Sequence, residues 1–151
     1  MSLDSVTAFF ATHAPDIAVE RYANSTATVA LAAEALGVEP GQIAKTLSLR
    51  QGDEVVLIVA RGDARLDNRK YKNRFGQKAR MLGLEDVELE TGHPVGGVCP
   101  FGLARPLRVF CDVSLRDFDV VYPAAGAPDA AVRMTPDRLA ALTQAEWVDV
   151  V

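Results

Sequence analysis

Residues 45–50 and 54–61 are two strand-length segments separated only by Gln51-Gly52-Asp53. A three-residue link containing glycine between two such segments predicts an antiparallel hairpin. The second segment holds the longest apolar run of the chain, residues 55–60. That run has strand length and falls far short of the roughly 20 residues a membrane-spanning helix needs.

Other elements gather around this hairpin. Residues 3–13 predict a first helix, with Val6, Phe9 and Phe10 on one side and Pro15 ending it. Residues 17–22 alternate as a strand does. Thr28 caps a helix over 29–36, and Gly37 stands at its C-terminal stop. Pro40-Gly41 makes a turn. Asp67 caps a helix that sets Tyr71, Phe75 and Ala79 on one face, although Gly76 interrupts it. Residues 84–90 predict a helix, and 93–102 a loop dense in glycine and proline. Residues 107–113, 120–122, 131–134 and 147–151 predict strands. Thr135-Pro136-Asp137 opens a last helix, with cap, proline and acid in their usual places. Helices and strands mix without strict βαβ alternation. The expectation is one α/β domain over residues 1–151, with a mixed sheet surrounded by helices.

The 151 residues carry a net charge of −4, which argues against a polyanion partner until its distribution is considered. Residues 61–80 contain eight of the 16 basic residues and only Asp63 and Asp67 as acids, a local charge of +6. The remainder carries −10. A basic footprint on an acidic chain suits a polyanion touching one face, or equally a solvated helix. The start, Met1-Ser2-Leu3-Asp4, lacks the order of a signal peptide, so a cytoplasmic address is expected. Two cysteines, Cys99 and Cys111, and two histidines, His13 and His93, form no zinc-like spacing; neither a metal nor another cofactor is expected.

Three features could carry chemistry. The loop Gly92-His93-Pro94-Val95-Gly96-Gly97-Val98-Cys99-Pro100-Phe101-Gly102 allows close backbone approach and stiffly held amide groups. It is neither a dinucleotide nor a Walker loop. Lys45, opening a strand among apolar neighbours, is either a cation for a phosphate or developing negative charge, or a lysine that snorkels to the surface. Cys99, six residues after His93, is either a thiol nucleophile or a small packing residue.

The stretch from Thr28 to Leu47, with Leu36-Gly37-Val38 and Ile43-Ala44-Lys45-Thr46-Leu47, resembles the YbaK/EbsC-like, prolyl-tRNA-synthetase-associated editing family. The run Gly96-Gly97-Val98-Cys99-Pro100-Phe101-Gly102 is similar to that family's GxxxP loop. Residues 120–126 followed by Met134-Thr135-Pro136-Asp137-Arg138-Leu139 resemble its closing strand, turn and helix. The resemblance spans nearly the whole chain. It implies a partly barrel-like mixed sheet, no metal, and hydrolysis of the ester joining a wrong amino acid to tRNA, with tRNA for proline and prolyl-tRNA synthetase as expected partners. Lys45 is implied as the essential lysine near the terminal adenosine. Gly96, Gly97 and Pro100 are implied as the wall holding the aminoacyl group, and Ala125 and Gly126 as the turn facing it. Arg69, Lys70, Lys72 and Arg74 are expected to meet the tRNA backbone.

One departure concerns substrate. Ala124 stands ahead of Ala125-Gly126 where cysteine-editing members carry serine. The amino acid removed, the attacking group and the oligomeric state stay open. Two rivals remain: a non-catalytic tRNA- or nucleotide-binding module of the same fold, and a Cys99-dependent hydrolase.

Overall fold

The hairpin forms as the sequence predicts and becomes the centre of the sheet. In the computed structural model, which describes residues 2–151, strand β2 (Ile43–Gln51) pairs antiparallel with β3 (Glu54–Arg61) from Ala44↔Arg61 to Gln51↔Glu54. Gly52 turns the chain with a φ of 61°. Strand β3 is buried from Val55 to Ala60, as an apolar run with neighbours on both sides and both faces must be.

The remaining elements follow in chain order: helix α1 (Ser2–His13), strand β1 (Glu20–Arg21), helix α2 (Val29–Leu36), β2, β3, helix α3 (Asn68–Phe75), helix α4 (Leu84–Thr91), strand β4 (Arg108–Asp112), β5 (Tyr122–Pro123), β6 (Ala130–Ala131), helix α5 (Pro136–Thr143) and β7 (Glu146–Val148). The main sheet has the order β5-β2-β3-β4-β7. Only β2–β3 is antiparallel in it; β5 joins β2, β4 joins β3 and β7 joins β4 in parallel. The sheet curls into a half-barrel flanked by five helices. Strands β1 and β6 form a separate antiparallel pair.

Side chains of β2 and β3 alternate between two apolar clusters. Ala44, Leu57 and Val59 face the larger one, which buries Val6 and Phe10 of α1, Phe101, and Leu139 of α5. Leu49, Val56 and Ile58 face the other, closed by Tyr71 of α3 with Phe110 and Val148. Helix α2 is capped by the Thr28 hydroxyl, which accepts from Leu31 N, and stops at Gly37 in the left-handed region. Helix α3 is capped by Asp67 and stops at Gly76, so Ala79 lies beyond it, though Ala79 still packs on the Tyr71 cluster.

Several strands are shorter than the sequence predicts. Residues 15–17 turn, leaving only Glu20–Arg21 extended and paired. Of residues 131–134 only Ala131 belongs to β6, with isolated bridges at Ala124↔Ala131 and Val121↔Met134. Strand β4 stops at Asp112 because its carboxylate caps the following turn, accepting from Ser114 N at 2.9 Å. Strand β7 ends at Val148. Beyond it, Val150 N donates to the Asp112 carboxylate at 2.7 Å, and Val150 O accepts from Asp67 N at 2.7 Å.

Candidate functional site

A cleft of about 250 Å³ opens along the outer edge of β2. That edge is covered at both ends and bare between. Strand β5 reaches only Ile43 and Ala44. Farther along, Leu82 N donates to Ser48 O at 3.0 Å and Arg50 N donates to Arg80 O at 2.8 Å. Peptide groups of alternate residues point to the same side of an antiparallel strand. With Ser48 and Arg50 bonded outward, the N–H and C=O of Thr46 also point outward, where no strand neighbour meets them.

The walls are mostly apolar. Val29, Ala32 and Leu36 of α2 form one side, and Leu82, Val87 and Val98 another. Met81, Leu84 and Val95 line the mouth and are each more than half exposed. Two hydroxyls break this apolar lining. The Oγ1 atoms of Thr26 and Thr46 are buried and have no hydrogen-bond partner among the described residues. Leaving a buried hydroxyl unpaired costs about 1–3 kcal/mol, so two lining one cleft is an observation that needs a cause. Ser48 lines the same cleft, on the same strand face as Thr46.

Lys45 also lines the cleft, but from the other side of the strand. It pairs with Ala60, and its Nζ donates to Ala64 O in the connection between β3 and α3. Partial burial pushes its pKa below the ordinary lysine value; Asp63 pulls it back up and Arg65 opposes that. The side chains of Lys45 and Thr46 thus leave the open edge on opposite faces of the strand.

The Gly/Pro loop forms a wall through backbone contacts. Gly96 lines the cleft with a φ of 91°, and a Cβ there would lie 2.9 Å from the Cβ of Ala27. Gly97 N donates to Pro94 O at 2.9 Å, while Gly97 O accepts from Gly126 N at 3.0 Å. A Cβ on Gly97 would lie 2.7 Å from Ala127 N. Gly97, Pro100, Ala125 and Gly126 are buried behind the lining; of the expected wall and turn residues, only Gly96 lies on the cleft surface. The two glycine turns are nonetheless joined directly, and Ser2 ties them to α1, its Oγ lying 2.6 Å from Gly126 O.

Cys99 is fully buried, and burial raises its thiol to about 12. Its Sγ lies 3.6 Å from His93 Nε2 and 3.6 Å from Phe101 O. His93 is itself buried, with Nε2 2.6 Å from Phe101 O and Nδ1 2.5 Å from Ser2 Oγ. Facing a carbonyl, Nε2 carries the ring proton and cannot accept one from the thiol; burial holds the ring below the ordinary histidine value. A protonated thiol away from the cleft lining is no nucleophile, which removes the reason for a Cys99-dependent hydrolase.

The basic stretch is less free than its composition implies. Lys70 pairs with Asp149 at 3.1 Å and donates to Val151 O. Arg74 pairs with Glu146 and lies over the rings of Phe75 and Phe110. Arg61 is held between Asp63 and Asp117. Arg69 and Lys72 are exposed on α3 and form no ion pair among the described residues. Also among the described residues, no group of three or more His, Cys, Asp or Glu side chains is placed to hold a metal ion. Among the same residues, no helix is long and apolar enough to cross a membrane.

Sequence reasoning passed over Thr26 and Thr46. The only signal was the position of Thr46 beside Lys45. That both hydroxyls lack partners is a property of the folded chain that neither residue's sequence neighbours mark.

Comparison with known proteins gives the family of the chain. Residues 23–142 match the Aminoacyl-tRNA editing domain family. The uncharacterised protein YwhH of Bacillus subtilis is 47% identical over 99% of this chain and 97% of its own length. EbsC of Enterococcus faecalis, named as a candidate Cys-tRNA(Pro)/Cys-tRNA(Cys) deacylase, is 29% identical over 78% of this chain and 73% of its own. The crystal structure of a candidate trans-editing enzyme for prolyl tRNA synthetase superposes with a TM-score of 0.90 at 35% identity, covering 99% of this chain and 96% of that one. The chain belongs to the aminoacyl-tRNA editing domain family.

Proposed function

We propose that this protein is a trans-acting deacylase that hydrolyses the ester between a small, wrongly attached amino acid and tRNA, with tRNA for proline as the expected carrier. The observation that carries this reading is the bare edge of β2 in an apolar cleft with Lys45 beside it. An aminoacyl ester is already activated, so holding its carbonyl against fixed donors in a mostly dry cleft supplies much of the catalysis. The outward N–H of Thr46 is one such donor. Lys45 is assigned to the adenosine or phosphate end, on the side of the strand that leads into basic α3. Gly96 leaves room for the aminoacyl group, and Gly97, Pro100, Ala125 and Gly126 hold that wall from behind. Water or a group of the substrate attacks. A cytoplasmic address belongs to the same reading, since charged tRNA is used there.

Lys45→Ala tests it. Single-turnover deacylation across tRNAs charged with alanine, serine, threonine and cysteine should reveal at least one substrate for the wild type. The variant, equally folded by circular dichroism, should lose about a hundredfold in rate. Near-normal rates in the variant would discard the assignment of Lys45. Binding of tRNA with no deacylation by the wild type would favour a non-catalytic module.

A further inference from the structure

The two unpartnered hydroxyls point to a substrate class. The cleft offers a bound aminoacyl ester several polar groups. The outward N–H of Thr46 suits the ester carbonyl, and its outward C=O suits the α-ammonium, a pure donor. Lys45 suits the anionic or ribose end. Once these are assigned, Thr26 Oγ1 and Thr46 Oγ1 remain, each buried without a partner among the described residues and each on a residue that lines this mostly apolar cleft. Thr26 is 7% exposed, and its backbone is tied down by donation from its N–H to Pro128 O at 2.6 Å, so the position of the hydroxyl is built into the fold.

A hydroxyl both donates and accepts, so a pair of hydroxyls is matched best by a third. An alanyl or 2-aminobutyryl side chain would leave both threonines unpaired. A cysteinyl thiol is a weak donor and a weak acceptor and would satisfy them poorly. Sites that hydrogen-bond a substrate hydroxyl reject analogues lacking it far more strongly than apolar pockets reject a missing methyl group.

We propose that the cleft selects a small amino acid bearing a side-chain hydroxyl, serine or threonine, and that Thr26 and Thr46 bind that hydroxyl. This deepens the deacylase reading and rests on it for the nature of the ligand. Thr26 and Thr46 are then specificity residues, distinct from Lys45 at the nucleotide end.

The test uses the wild-type protein and non-hydrolysable aminoacyl-sulfamoyl adenosines carrying serine, threonine, alanine, 2-aminobutyrate or cysteine, with affinity measured by calorimetry. Seryl or threonyl analogues should bind at least about tenfold more tightly than the alanyl and 2-aminobutyryl ones. In Thr26→Val and Thr46→Val that preference should collapse toward unity, with alanyl affinity changed less than about twofold. Equal affinities for all analogues in the wild type would overturn the proposal without reference to any variant. A uniform loss for every analogue in the valine variants would overturn it too, because the hydroxyls would then serve the shared adenosyl or amino part. Deacylation of the matching charged tRNAs separates the two readings. A hydroxyl preference in binding without hydrolysis keeps this proposal and sinks the deacylase. Hydrolysis with no preference for hydroxyl side chains does the reverse.

Discussion

Asp112 and the Thr26–Thr46 pair are buried polar groups with opposite fates. Asp112, at the end of β4, is wholly buried, and each of its carboxylate oxygens accepts a backbone N–H, one from Ser114 and one from Val150. It joins the turn after β4 to the last residues of the chain. The two threonines line the far edge of the same sheet with buried hydroxyls that accept and donate nothing. Satisfied polarity stabilises the fold, whereas unsatisfied polarity around a cleft is a cost borne until a ligand arrives.

The strongest way to break this comparison is to measure both kinds of group in one experiment. Asp112→Ala strips the acceptors from the buried N–H of Val150 and the partly buried N–H of Ser114 and should cost about 3 kcal/mol of stability in urea unfolding. Thr46→Val removes a hydroxyl with no partner and should leave stability within about 0.5 kcal/mol or raise it. A large loss in Thr46→Val, or a loss under about 1 kcal/mol in Asp112→Ala, would erase the distinction.

The glycine wall comes next. Gly97→Val forces a branched side chain against the Ala127 backbone, where a Cβ alone would lie 2.7 Å from Ala127 N. The wall must shift, and a misplacement of about 1 Å should slow deacylation on the order of a hundredfold. Unchanged rates in a folded variant would show that the join between Gly97 and Gly126 does not position the cleft.

The smallest effect sharpens the same contrast on α3, between committed and free cations. Lys70 and Arg74 already hold carboxylates, while Arg69 and Lys72 hold none among the described residues. Arg69→Gln with Lys72→Gln should flatten the log–log salt dependence of tRNA binding by roughly 1.4, about 0.7 for each phosphate left without its cation. Lys70→Gln with Arg74→Gln should flatten it less. Equal slopes in both double variants and the wild type would make α3 a solvated helix.

Much of the fold was legible because its signals are local. The hydroxyl of Thr28, the glycine after Leu36 and the apolar run before Arg61 each act within a few residues of chain. Strand lengths were less legible because competing partners end them: the Asp112 side chain captures the N–H groups of Ser114 and Val150 that a longer ladder would use. Within the candidate site, Lys45 and Gly96 were marked by motif, and both line the cleft. Thr26 and Thr46 carried no such mark. The bare backbone at Thr46 exists because β5 stops at Pro123 and residues 81–82 meet β2 only at Ser48 and beyond, and neither limit is encoded near the threonines.

The bare stretch of β2 also bears on how these molecules behave in a crowd. An exposed sheet border is a template for intermolecular strand pairing and thus for aggregation. Here the border is interrupted on both sides, by β5 at Ala44 and by Leu82 at Ser48, so only the peptide groups around Thr46 stay available. That opening is too short to recruit a strand from a second molecule, yet it accommodates one carbonyl and one amine, the size of a single aminoacyl unit. By capping the border so closely, the fold keeps hydrogen-bonding backbone within reach of a small ligand while denying it to neighbouring chains.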